Sequence, residues 1–84
     1  MKKILVTLTT TNSSWQKKIE EIKNLELKEI ALFLTGLNGQ EREECYRALA
    51  KTGLEKIPFV HLRSDISAEE IRFLIKNYQT EVFN

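Results

Sequence analysis

The sequence predicts an α/β fold, a (βα)3β half-barrel-like unit of four parallel strands joined by three helices. Two observations predict it. Predicted strands begin near Ile4, Ile30, Ile57 and Glu81, and successive starts are 26, 27 and 24 residues apart. That interval fits one strand, one helix and two short loops. Each interval also contains a helix-capping pattern followed by apolar residues at helical spacing.

Length and composition limit the class of protein. The 84 residues fit one domain, residues 1–84, whose core is small. Thirteen basic and twelve acidic residues leave a net charge of +1, which argues against a nucleic-acid partner. The first apolar run ends after five residues, too few for a secretory signal or a membrane span, so no membrane partner is expected. A single cysteine, Cys45, fits a reducing compartment, and we expect a cytoplasmic location.

The first unit is predicted to pair a buried strand with an amphipathic helix. Residues 4–9 are β-branched and nearly continuously apolar, which is typical of a parallel strand covered on both faces. Ser13 and Gln16 form a capping box, so a helix is expected from about Ser14. Its apolar stripe is predicted to contain Trp15, Ile19, Ile22 and Leu25.

The second unit repeats this design. Residues 30–34 form the next apolar strand, and Asn38 with Glu41 caps the following helix. Gly53 is predicted to end that helix in a left-handed conformation. The residues expected to face inward are Cys45, Tyr46, Leu49 and Ala50.

The third unit leads into the last strand. Residues 57–63 form a strand in which Pro58 is acceptable only near the first position. Ser67 and Glu70 form another capping box, and residues 81–84 form the fourth strand. The stripe of the third helix is predicted to contain Ile71, Leu74, Ile75 and Tyr78.

The strand order decides whether one face of the sheet is left uncovered. Crossovers between parallel strands are almost always right-handed, so the order 1-2-3-4 would place all three helices on one face. The other face would then expose more apolar surface than a soluble monomer normally shows. Eight strands closed into a barrel remove this problem, and the chain holds four of them. The alternative is a doubly wound sheet of order 2-1-3-4, with helices on both faces.

Candidate functional residues follow the strands, where α/β folds place their sites. Alternation puts Phe59, His61 and Arg63 on one face of the third strand, and Val60 and Leu62 on the other. His61 would then point into a barrel interior, either filling a layer or acting as an acid, base or metal ligand. The full set is Thr9, Thr10, Asn12, Thr35, Asn38, His61, Arg63 and Asp65.

Each of these chemical roles has a structural alternative. Arg63 could hold a phosphate or carboxylate, or pair with Asp65, which could itself shape the turn before the third helix. A single histidine cannot hold a metal alone, because a site needs about three protein ligands. Cys45 lies on a buried stripe and is interpreted as a small apolar residue rather than a nucleophile.

Four segments carry a family resemblance: IPFVHLRSD (57–65), EVFN (81–84), KKILVTLTTTNSSW and EIALF. They resemble the N-terminal half of a TIM barrel of the xylose-isomerase-like group. This group contains sugar phosphate isomerases and epimerases that bind a divalent metal. The resemblance implies catalytic roles for His61, Arg63 and Asp65, and metal binding by His61 and Asp65. Most of the group's ligands come from later strands, which this chain lacks.

Three functions therefore follow as hypotheses. The preferred one is a half-barrel that self-associates, most simply as a dimer, through its uncovered face and has no activity of its own. The second is a metal-dependent isomerase-like enzyme for a small-molecule substrate, assembled from two halves. The third is a doubly wound monomer that binds a protein partner.

Overall fold

The fold follows the predicted alternation of strands and helices. The computed structural model describes residues 6–8 and 15–84. In chain order its elements are β1 (Val6–Leu8), α1 (Trp15–Asn24), β2 (Glu29–Phe33), α2 (Gly39–Ala50), β3 (Lys56–His61), α3 (Ala68–Tyr78) and β4 (Val82–Phe83).

The four strands form one sheet in the order β1-β2-β3-β4, and every neighbouring pair is parallel. The predicted α/β fold of four parallel strands and three helices is confirmed. The doubly wound order 2-1-3-4 is wrong, because β3 pairs with β2 rather than with β1. Crossovers between adjacent parallel strands are almost always right-handed, which places the helices on one side of the sheet. Consistent with this, all three helices contribute to one buried cluster.

The core lies between that side of the sheet and the helices. Leu8, Ile30, Leu32 and Val60, which are at most 1% exposed, supply its sheet side. All three helices contribute to the same cluster of buried side chains, through Trp15, Ile19, Ile22, Cys45, Tyr46, Leu49, Leu74 and Tyr78.

Two helices begin with the predicted capping boxes. The Glu41 amide donates to Asn38 Oδ1 at 2.9 Å, and the Asn38 amide donates to Glu41 Oε1 at 3.1 Å. Ser67 and Glu70 make the same reciprocal pair at the start of α3. The capping box predicted at Ser13 lies outside the described residues.

Three residues predicted to be inward-facing are exposed instead. Leu25 is 61% exposed, because α1 ends at Asn24 and the chain turns through Glu26, whose φ is 53°. Ile75 is 48% exposed, since α3 buries Leu74 and Tyr78 on its inner side. Ala50 is the last residue of α2 and is also exposed.

The prediction that Gly53 ends α2 in a left-handed conformation is wrong. The helix ends at Ala50, and Lys51 follows with φ −90° and ψ −3°, still right-handed. Thr52 carries the turn: its Oγ1 donates to the Leu49 carbonyl at 2.7 Å and accepts from the Leu54 amide at 3.2 Å. No described glycine has a positive φ.

Strand ends differ from the prediction by a few residues, and Pro58 lies deeper in its strand than expected. It is the third residue of β3, which starts at Lys56. Lys56 is paired with Glu29 and Phe59 with Ala31, so two residues of β3 lie opposite one of β2. Such a bulge accommodates proline, since one residue there needs no ladder hydrogen bond. Strand β4 is two residues long rather than four.

Candidate functional site

The side of the sheet opposite the helices carries its own row of side chains. Alternation along each strand and the parallel register place six residues there, which we call the open face: Thr7, Ala31, Phe33, Phe59, His61 and Val82. Thr7, Ala31, Phe59 and Val82 lie in register across the four strands.

Aromatic rings occupy the centre of the open face. The Phe33 ring stacks on the His61 imidazole with centroids 5.2 Å apart and planes 24° apart. The Phe33 and Phe59 rings are 5.9 Å apart and tilted by 48°. Val82 beside them is 51% exposed. None of these four side chains belongs to the buried core cluster.

His61 occupies the predicted position. It is the last residue of β3, and Val60 on the other side of the strand is fully buried against the helices. The predicted alternation of Phe59 and His61 against Val60 and Leu62 is therefore confirmed, since Leu62 also packs against the core. In the described structure the His61 imidazole stacks on the Phe33 ring.

A second cluster, built on Arg42 of α2, lies at the carboxyl edge of the sheet on the helix side. Arg42 is 2% exposed, and its Nε and Nη2 donate to the two carboxylate oxygens of Glu70 at 2.7 and 3.1 Å. Its Nη1 donates to the Leu37 carbonyl and to Asp65 Oδ1, and its Nη2 also donates to the Asp65 carbonyl. These five hydrogen bonds use all five N–H groups of the guanidinium, so none is left for a ligand.

The charges in this cluster are matched. Burial pushes the pKa of Glu70 upward, but hydrogen bonds from Arg42, the Ser67 backbone and Tyr46 outweigh it and lower the pKa to about 2. Hydrogen bonding to Glu70 raises the pKa of Arg42 in turn. Burial, with the negative charge of Glu70 nearby, raises the pKa of Tyr46, whose hydroxyl donates to Glu70 at 3.0 Å. The Arg42–Glu70 ion pair is charged at neutral pH and joins α2 to the start of α3, and Asp65 adds the loop before α3.

Asp65 and Arg63 are used in ion pairs. Arg63 Nε lies 3.4 Å from Asp65 Oδ1, as one of the sequence interpretations anticipated, and Arg42 Nη1 lies 2.9 Å from the same oxygen. A carboxylate flanked by two guanidinium groups is a poor metal ligand, since both cations compete with the ion. Within the described residues no group of three or more histidine, cysteine, aspartate or glutamate side chains is arranged to hold a metal.

The other predicted residues have simpler roles. Asn38 is the helix cap described above, and Thr35 is exposed in the turn after β2. Cys45 is fully buried, and burial raises the pKa of its thiol to about 12. The thiol is therefore neutral, and Cys45 packs as an apolar residue. Thr9, Thr10 and Asn12 lie outside the described residues.

Sequence reasoning missed Arg42, although a signal was present. Arg42 stands three residues before Cys45 and seven before Leu49, on the same helical stripe that was predicted to be buried. A charged residue on such a stripe needs a partner of opposite charge. That partner, Glu70, was recognised only as a capping residue.

Comparison with known proteins adds no relative. No family model, curated protein or solved structure matches the chain. Among the helices of residues 15–84, none has the length and apolar character needed to cross a membrane.

Proposed function

We propose that this chain is one half of a TIM-like barrel and self-associates through the open face, with no catalytic activity of its own. The observation that carries the proposal is the aromatic cluster of Phe33, Phe59 and His61, which lies outside the core on the side of the sheet away from the helices. Aromatic side chains in such a position are typical of the centre of a protein interface.

A second copy of the chain is the occupant that best fits this face. The net charge of +1 gives two copies almost no mutual repulsion. The side chains of the face are apolar or aromatic apart from Thr7 and His61, so two such faces complement each other. Four parallel strands are also half the number that closes a TIM barrel.

The metal-dependent isomerase that the family resemblance implies stays a prediction. The described residues give it no support beyond position, because Asp65 is paired with two arginines and no group of three or more possible metal-ligating side chains is present among them. Metal analysis of the purified protein tests it directly: stoichiometric metal that is lost in His61→Ala would replace the proposal above with this one.

Sedimentation velocity over roughly 1–100 µM tests self-association. Phe59→Asp places a carboxylate in the contact, and an unpartnered buried charge costs at least about 3 kcal/mol, so association should weaken more than about 100-fold. Val82→Asp makes the same change at a side chain that is 51% exposed and therefore less important for folding. Leu25→Asp is the matched control, since Leu25 is 61% exposed and lies off the open face.

We expect the parent chain and the Leu25→Asp variant to associate. The Phe59→Asp and Val82→Asp variants should be monomeric. A parent chain that is monomeric at about 100 µM overturns the proposal and leaves a different protein as the occupant of the face. Association that survives both open-face substitutions in folded protein overturns it as well.

A further inference from the structure

We propose that two copies join through the edges of their sheets, with β4 of each chain paired in parallel with β1 of the other, so that eight strands form a closed ring. This inference rests on the proposed self-association and specifies its geometry. The competing arrangement is a stack, in which the two open faces pack flat against each other and the edges remain unpaired.

The size of the open face argues against a stack. Strands lie about 4.8 Å apart and rise about 3.3 Å per residue. The described strands have three, five, six and two residues, so they present a flat area of roughly 19 by 13 Å, or about 250 Å². A stable protein interface usually buries about 800 Å² on each partner. A stack of two open faces therefore falls short, and a stable dimer needs further contact surface.

The two edges supply that surface. Strand β1 pairs only with β2, and β4 only with β3, so the outer side of each has no strand beside it in the described structure. Unpaired backbone groups on an edge are a ready template for another strand.

A second copy fits both edges at once. A two-fold axis parallel to the strands brings β4 of each chain beside β1 of the other, and all eight strands keep one direction. Both edges are then used in two identical contacts, and the open faces meet inside the ring. Another partner would need both kinds of parallel edge at the same separation.

The backbone of β4 offers a group that distinguishes ring from stack. Asn84 directs its backbone to β3: its amide donates to the Val60 carbonyl at 3.0 Å and its carbonyl accepts from the Leu62 amide at 2.7 Å. Because alternate residues of a strand point their amides to opposite sides, the Phe83 amide points to the outer edge. The Phe83 side chain packs against the core cluster. In a ring the amide is bonded to the partner, and in a stack it meets water.

A matched pair of variants isolates this amide. Phe83→Pro and Phe83→Ala both remove the aromatic ring, but only proline also removes the amide, and proline is tolerated on an edge whose N–H faces outward. Because the dimer has two equivalent edge contacts, the proline substitution removes two interchain hydrogen bonds. Phe83→Pro should therefore weaken dimerisation about 30-fold more than Phe83→Ala. Equal dissociation constants for the two folded variants would overturn the ring.

Amide hydrogen exchange of the unmodified chain gives a second measurement that does not depend on how the variants fold. In the ring, exchange of the Phe83 amide slows at least about tenfold between dilute and concentrated protein. If the chain dimerises and Phe59→Asp dissociates it, but exchange of the Phe83 amide is unchanged, the dimer is a stack. That result refutes the ring and leaves the proposed self-association standing. A chain that stays monomeric refutes both.

Discussion

Replacing Arg42 by methionine should cost a large part of the stability of this domain. Methionine keeps the length and apolar stem of the side chain but removes the guanidinium, which leaves the Glu70 carboxylate without its cation. Glu70 is 19% exposed at its side chain, so it cannot regain full hydration without local opening. The Leu37 carbonyl loses its donor as well.

The magnitude can be worked from the individual contacts. Leaving a buried charge unpaired costs about 3–5 kcal/mol, and Ser67 and Tyr46 still donate to Glu70, so about 2 kcal/mol is taken for this loss. The unsatisfied Leu37 carbonyl adds about 1 kcal/mol. The Asp65 carboxylate is 49% exposed at its side chain, and its contribution is taken as close to zero. The total is about 3 kcal/mol, out of about 4–13 kcal/mol expected for a domain of this size.

Thermal and urea unfolding measure this loss. A loss of about 3 kcal/mol should lower the midpoint temperature by about 12–24 °C. Arg47→Met is the matched control on the same helix, because Arg47 is 72% exposed at its side chain and its nearest contact with Glu43 is 3.5 Å. That variant should change stability by less than about 0.5 kcal/mol. Equal, small losses in both variants would refute the view that Arg42 holds α2 to the start of α3.

Four further predictions follow from single residues. The Glu70 pKa is lowered from 4.5 to about 2. Ionised Glu70 therefore contributes about 3 kcal/mol to the free energy of unfolding above about pH 5, and this contribution is lost as the pH falls toward 2. Urea unfolding of Glu70→Gln should show a correspondingly smaller loss of stability in acid. Cys45 is fully buried with its thiol pKa raised to about 12, so it should react with a thiol reagent only on unfolding; rapid labelling of folded protein would contradict this. Gly53→Ala should be neutral or stabilising by up to about 1 kcal/mol, since its φ is not positive and an added Cβ meets only the flexible end of Lys28 at 3.1 Å. Gln79→Gly should stabilise by a similar amount, because Gln79 has φ 49°; thermal unfolding with the opposite signs would refute both.

Local patterns in the sequence predicted much of this fold. The capping boxes at Asn38 and Ser67 each involve residues three positions apart, and both are present in the structure. The alternation that placed His61 and Val60 on opposite faces depends only on the two-residue period of a strand, and it is also confirmed. Such features are decided by neighbours along the chain, so a single sequence is enough to predict them.

Features decided by distant residues were missed. Arg42 and Glu70 are 28 residues apart, and neither position identifies the other without the fold.

Gly53 was assigned to a left-handed helix end on local grounds, but Thr52 supplies the turn after α2. The left-handed helix end occurs after α3 instead, at Gln79. The error at Leu25 is one of helix length, since α1 ends at Asn24 and the next residue no longer lies on the buried stripe.

The two clusters lie on opposite sides of the sheet, and this arrangement separates folding from assembly. Arg42 and Glu70 act within the layer of helices, whereas Phe59 and Val82 lie outside the core. Val82→Asp should therefore change the dissociation constant while leaving the stability of the dilute monomer nearly unchanged, and Arg42→Met should do the reverse.

Measuring both quantities on the same variants tests this separation. Urea unfolding is carried out below the dissociation constant, and sedimentation above it. If Val82→Asp lowered monomer stability by as much as Arg42→Met, the open face would be part of what holds the monomer together. Its side chains would then have to be counted as core, and a partner would no longer be needed to cover them.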